Sequence, residues 1–354
     1  MMLRKFGHTL FVSALMLAGA CFTACDDSVI DDNTDGEPVQ MFASIASRNA
    51  VESRFVSGIA DYEKIKFEKD DKINVDAWHF SGSNGERTSE PNFFIDQEMI
   101  YDGSAWNYTP IKYWPNYANE KLAVCAYNDC ASTKDNFCVK TKDSANGYTM
   151  KFDDCGHVDD VVVAPLTEYS RSQLDSGRKI PITFYHIMSL VKMQVKYITK
   201  AGADPNDNYL TIKNIELHWH SKGGTFTGFA EVDGIPEAQW TEVEKHGNYV
   251  SDVTDYTIEA NKDFKDLPGM TFCQIPFTSP FMDSENVVRY TRVEIIVGFD
   301  DEPNDIKFVK ELSFELKPGK TTVFNVLIDG KDIDVTVSNY LEWSGDGGST
   351  TVTF

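Results

Sequence analysis

Seven histidines, at positions 8, 79, 157, 186, 218, 220 and 246, are the side chains of this 354-residue sequence best suited to proton transfer or metal ligation near neutral pH. Only His218 and His220 stand in register. On a strand, residues i and i+2 share a face, here the face opposite Leu217 and Trp219. Two imidazoles there could hold a metal ion with a third ligand from a neighbouring strand. Two ordinary exposed histidines explain the spacing as well, and no metal or other cofactor is expected. His186 reads as a histidine at the edge of the core. Among the acids, Asp31-Asp32-Asn33-Thr34-Asp35-Gly36 imitates the start of an EF-hand loop, but position 12 is Phe42 where a bidentate acid is required. The loop from Phe299 through Asp300, Asp301, Glu302, Pro303 and Asn304 to Asp305 could place oxygens around calcium, but reads as a solvated acidic loop.

Nucleophiles and cofactor boxes are equally sparse. The chain has no G-x-S-x-G elbow, P-loop, H-E-x-x-H or G-x-G-x-x-G, so no enzyme is expected. The cysteines Cys125-x4-Cys130-x7-Cys138-x16-Cys155 lack the paired C-x2-C spacing of zinc knuckles. They are disulfide candidates, because such short loops close at small entropic cost. Cys273, in the apolar run Thr271-Phe272-Cys273-Gln274-Ile275, is expected to stay a buried thiol. Trp106, Tyr108, Tyr113 and Trp114 would make a sugar-stacking shelf if exposed, but large aromatics also fill β-sandwich cores, and that reading is preferred.

The elements that must position these residues are strands. Ile73, Val75 and Ala77 alternate with polar neighbours, as do Val191, Met193, Val195 and Tyr197; Ile215, Leu217 and Trp219; Val293, Ile295 and Val297; and Ile333, Val335 and Val337. Period-two alternation gives each strand one core face and one wet face, the habit of antiparallel sheets. Turn residues recur between the runs, as in Tyr101-Asp102-Gly103-Ser104, Lys222-Gly223-Gly224 and Lys317-Pro318-Gly319-Lys320. Helical periodicity is limited to a short turn around Leu166 to Leu174. The expected fold is all-β, with two antiparallel β-sandwich domains in tandem, residues 39–180 and 181–354. The formal net charge of −22, with no basic stripe, argues against nucleic acid as a partner.

The N-terminus reads as a processing segment. Arg4 and Lys5 precede an apolar run over residues 9–20, too short to span a bilayer. The run leads into Ala20-Cys21 and then Thr23-Ala24-Cys25. A secretory signal followed directly by cysteine resembles a bacterial lipoprotein signal. Cys25 is preferred over Cys21 as the lipidated residue, because small residues precede it and Asp26-Asp27 follow at once. Residues 1–25 are then a signal peptide and residues 26–38 an acidic tether. Lipid anchoring would place the chain on the outer membrane, where disulfides persist.

Further motifs resemble the fimbrillin family of Bacteroidetes, the lipoprotein-derived subunits of type V pili. Ser53-Arg54-Phe55 ahead of Phe67-Glu68-Lys69-Asp70-Asp71-Lys72-Ile73 is similar to that family's "F..GD.I" segment, with Asp70 where Gly is usual. Tyr113-Trp114-Pro115 is similar to its "YWP" element and Asp159-Asp160-Val161-Val162-Val163-Ala164 to its "DLLYA" strand. Phe184-Tyr185-His186 resembles the start of its C-terminal domain, Lys317-Pro318-Gly319-Lys320 its "pGk" turn, and Trp343 with Gly345 its closing "W..G". The resemblance implies transthyretin-like, Greek-key sandwiches, no catalysis and assembly by strand exchange. A trypsin-like protease cuts after an arginine, here Arg54 or Arg48, and removes the first strand. A C-terminal strand of the next subunit then fills the groove. Residues 39–46 are expected to be the first strand, and residues 351–354, with help from residues 333–337, the donor. The partners implied are other fimbrial subunits, the outer membrane, and a host or bacterial glycan or protein. A surface glycan-binding lipoprotein that does not polymerise is the other reading.

Overall fold

The structure is a computed structural model that describes residues 37–46, 67–82, 86–115, 119–128, 138–153, 160–174, 179–199, 208–244, 247–250, 253, 255–299, 304–330 and 332–342. The first nine strands are β1 (Gln40–Ile45), β2 (Lys72–Ser81), β3 (Phe94–Tyr101), β4 (Trp106–Asn107), β5 (Glu120–Asn128), β6 (Cys138–Asp143), β7 (Gly147–Phe152), β8 (Val162–Ser170) and β9 (Lys179–His186). Next come β10 (Ser189–Ile198), β11 (Tyr209–His220), β12 (Gly223–Val232), β13 (Ile235–Glu244), β14 (Gly247–Val250), β15 (Tyr256–Glu259) and β16 (Lys265–Gln274). The last are β17 (Thr278–Ser279), β18 (Phe281–Met282), β19 (Val288–Arg289), β20 (Thr291–Phe299), β21 (Ile306–Leu312), β22 (Phe314–Glu315), β23 (Lys320–Asp329) and β24 (Asp332–Glu342). The fold is all-β, and the short turn expected near Leu174 is a 3-10 turn at Arg171–Gln173.

Alternation in the sequence becomes three apolar cores. A seven-stranded sheet runs β1-β9-β8-β5-β2-β3-β4. One face buries Met41, Ile73, Val75, Ala77, Leu122, Val124 and Ile182. The sheet curls so that its two ends meet, where Pro38 bridges to Tyr113. Its other face, through Trp78, Ala123, Cys125 and Tyr127, packs on Tyr148, Met150 and Phe226 of the sheet β13-β12-β7-β6. The third core lies between β16-β10-β23-β24 and the β14-β11-β20-β21 sheet, and includes Val191, Met193, Val195, Leu217, Ile295 and Phe324.

Three pairings, β1–β9, β8–β9 and β7–β12, cross the halves that the sequence suggests. The expected boundary at residues 180/181 falls inside β9, which belongs wholly to the seven-stranded sheet, and the chain passes into the next sheet at Ile187-Met188. The β12–β13 hairpin, from the later half, pairs with β7 through Gly224↔Phe152, Thr225↔Lys151 and Phe226↔Met150. Residues from Glu37 onward form one compact unit.

The crossover is clamped. Ile187 N–H donates to Val161 O (3.1 Å), Gly319 N–H to Met188 O (2.8 Å) and Trp240 Nε1–H to Ile187 O (2.8 Å). Gly319 has φ +63°, a conformation open to glycine, and its turn also presents Lys317 O to the Ser189 hydroxyl at 2.6 Å. Asp70 has φ +74°. A position where the family pattern carries Gly is thus left-handed here, and Asp is one of the few other residues that adopts it readily.

Candidate assembly site

The first strand is short and apolar on alternate residues. Val39, Met41 and Ile45 are buried, whereas Phe42 on the opposite face is 60% exposed. β1 runs parallel to β9 in the register Gln40↔Lys179 to Ile45↔Phe184, and Ala46 N–H extends it with a 2.7 Å bond to Phe184 O. On its other side it meets the aromatic segment that ends in Tyr113-Trp114. Val39 N–H donates to Lys112 O and Trp114 N–H to Glu37 O, both at 2.9 Å. The Tyr108 hydroxyl donates to Val39 O at 2.6 Å, and burial pushes this phenol up to about 12. The Arg171 guanidinium pairs with Glu37 at 3.0 Å.

These contacts make β1 a wedge closing the curled sheet. Burying three such side chains stabilises the fold by roughly 5–9 kcal/mol at about 1.5–3 kcal/mol each, against a total stability of about 5–15 kcal/mol for a native protein. Losing β1 without replacement would remove much of that margin. The geometry is that of strand addition, with main-chain bonds for affinity and alternate side chains in pockets for selectivity.

At the other end, β24 pairs with β23 at the edge of its sheet. Val335 is buried in the third core, and Ile333 and Val337 pack against that core. The residues expected to help donate a strand are therefore engaged in their own sheet. Residues 343–354 lie outside the described residues, as do Cys21, Cys25, Arg48, Arg54, Cys130, Cys155 and residues 300–303 of the acidic loop.

Trp106 and Trp114 are buried in the core, the reading preferred from the sequence, rather than displayed as a shelf. Cys125, Cys138 and Cys273 are buried as thiols; burial pushes the Cys125 thiol well up, and Tyr148 hydrogen-bonds to it. His218 and His220 do not share a face. The β11–β14 register shifts between them, and Trp219 takes φ +60°. This bulge turns His220 inward, 1% exposed, with Nδ1 at 2.8 Å from Ser221 O. His186 is buried, with Nδ1 2.9 Å from Asp160 Oδ2. Sequence reasoning did not foresee the Tyr108–Val39 or His186–Asp160 contacts; each joins two motifs quoted above or sits beside one, which is the signal that could have suggested them.

Residues 60–340 match a family model described as fimbrillin-like. No curated protein matches the sequence. Among solved structures, that of a fimbrial protein from Bacteroides vulgatus is similar with a TM-score of 0.53 at 14% identity, covering 77% of this chain and 93% of that one. A candidate cell-adhesion protein from Bacteroides ovatus gives 0.51 at 12% identity, covering 87% and 98%. At these identities the two structures speak for the fold alone.

Proposed function

The chain belongs to the fimbrillin-like family, and from that membership we propose that it is a fimbrial subunit exported as a surface lipoprotein through Cys25 and assembled by protease-triggered strand exchange. The observation that carries this reading is β1. It is the first strand of the compact unit, it pairs with β9 while Glu37 and Val39 just before it exchange main-chain bonds with the aromatic segment, and Val39, Met41 and Ile45 are buried. Arg48 and Arg54 follow it directly in the sequence. Cleavage after either residue would leave β1 joined to the groove by non-covalent contacts alone.

The vacated groove then accepts an extended segment from the next subunit. Residues 343–354 are the candidate donor, because β24 already serves its own sheet. The partners are other fimbrial subunits and, before processing, the outer membrane through the lipid. No catalytic role is proposed. The glycan-binding alternative draws no support from the aromatic segment, whose two tryptophans are in the core.

In native cells the wild-type chain should run as an SDS-resistant ladder, whereas a chain carrying Arg48→Ala and Arg54→Ala should remain an unassembled precursor. A ladder unchanged in that double variant would rule out processing at these arginines.

A further inference from the structure

We propose that Glu216, His218 and Glu294 form a binding site for a zinc-class divalent cation on the outer face of the β14-β11-β20-β21 sheet. Glu216 and His218, two residues apart on β11, share a face, and the antiparallel register sets Glu294 of β20 directly opposite Glu216. One ligand atom from each of the three lies within 4.8 Å of the others. Two carboxylates directly opposite one another repel, so the pair favours positive charge beside it.

The imidazole points to which cation. His218 Nδ1 is 3.1 Å from Asn248 Oδ1, an acceptor, which leaves Nε2 as the ring nitrogen turned to the two carboxylates. Nε2 is the nitrogen that a metal would take in exchange for a proton. It is buried, makes no well-formed hydrogen bond, and lies 3.0 Å from Glu216 Oε2 and 3.4 Å from Glu294 Oε2. An imidazole nitrogen beside two carboxylate oxygens is, once deprotonated, the donor set of a mixed N/O site for zinc and its neighbours. Donation of the other ring N–H to a carbonyl oxygen is how metal-bound histidines are usually oriented. Asn214 Nδ2 holds the remaining oxygen of Glu216 at 2.8 Å.

Two cations already approach Glu294: Arg292 Nε at 3.2 Å from Oε1 and Lys307 Nζ at 2.5 Å from Oε2. The Lys307 side chain is more than half exposed. Its long flexible stem lets the ammonium swing into solvent and yield Oε2 to a metal. A bound ion would tie β11 to β20, with Asn248 of β14 holding the imidazole.

The test is titration of the chain, purified without a histidine tag, with zinc chloride by calorimetry and with cobalt chloride by visible absorption. One equivalent should bind, and the cobalt spectrum should lack thiolate charge transfer. Asn248→Ala should weaken binding roughly 10–100-fold, His218→Ala and Glu216→Gln at least as much, and Lys307→Met should tighten it. Glu216→Gln, at a half-exposed position, serves if His218→Ala does not fold. The absence of saturable binding by the wild-type chain, or equal binding by the Glu216 and His218 variants, would overturn the proposal.

Discussion

The imidazole of His186 sits 2.9 Å from the Asp160 carboxylate, with both side chains almost wholly withdrawn from solvent. Asp160 precedes β8 and His186 ends β9, so the pair ties two neighbouring strands at the point where the chain leaves the seven-stranded sheet. Asn128 reinforces it, donating from Nδ2 to Asp160 O at 2.8 Å and accepting from Val162 N–H at 3.0 Å. The contact joins two of the motifs that resemble the family pattern, and gives them a shared task in clamping the crossover.

Removing one partner of a buried pair strands the other, which costs about 3–5 kcal/mol. His186→Ala should lower the unfolding free energy by that amount in urea titrations. The double variant Asp160→Leu/His186→Leu should recover part of it, since apolar replacement removes the stranded group. A loss confined to a few tenths of a kcal/mol in His186→Ala would show that the pair does not hold the crossover.

Tyr108 ties β1 to the aromatic segment, so Tyr108→Phe should cost about 0.5–1.5 kcal/mol and speed tryptic release of the first strand. Burial is the main cause that raises the phenol from 10.0 to about 12. A raised acid stabilises the fold fully below its unfolded value and loses that contribution as pH climbs through the folded one. The advantage of wild type over Tyr108→Phe should therefore be constant up to about pH 10, then fall and reverse sign by about pH 12, because a rise of about two pH units amounts to about 2.7 kcal/mol. An advantage that grows with pH across that window would contradict the contact.

With Cys125 and Cys138 buried as thiols, Cys130 and Cys155 are the two of the four clustered cysteines left as candidates for the expected disulfide. Peptide mapping of native exported protein should recover those two bridged, with Cys125, Cys138 and Cys273 alkylated only after unfolding. Four alkylatable thiols at 125, 130, 138 and 155 would reject the bridge.

The proposed lipidation at Cys25 rests on the small residues that precede it and the acids that follow it. Cys25→Ser should abolish incorporation of a clickable fatty acid. Retained labelling that is lost instead in Cys21→Ser would move the anchor to Cys21.

Much of the fold is legible in alternation, and the failures have local causes. Ile73, Val75 and Ala77, and Val191 through Tyr197, are buried as their period-two pattern demands. His220 misleads because a bulge leaves the sequence pattern unbroken while shifting every later residue by one face; the register shift against β14 and the positive φ at Trp219 reveal it. The β12–β13 hairpin joins β7 through contacts some 75 residues apart in sequence, and no local window carries pairing of that range. The candidate assembly site is half legible. The alternation of Val39, Met41 and Ile45 announces a strand with one buried face, but its parallel partner β9 lies about 140 residues away. The metal-ligand triad was missed for the same reason, since Glu294 reaches Glu216 only through the β11–β20 register.

The central claim is that β1 is a replaceable strand. Its most direct test is limited trypsin treatment of the purified chain with and without residues 343–354, followed by unheated SDS electrophoresis and a folding probe such as near-UV circular dichroism. The account predicts that trimmed full-length chain stays folded and forms an SDS-resistant ladder, whereas trimmed chain lacking residues 343–354 forms none. A ladder that persists without those residues, or a trimmed full-length chain that unfolds or remains a stable monomer, would contradict it.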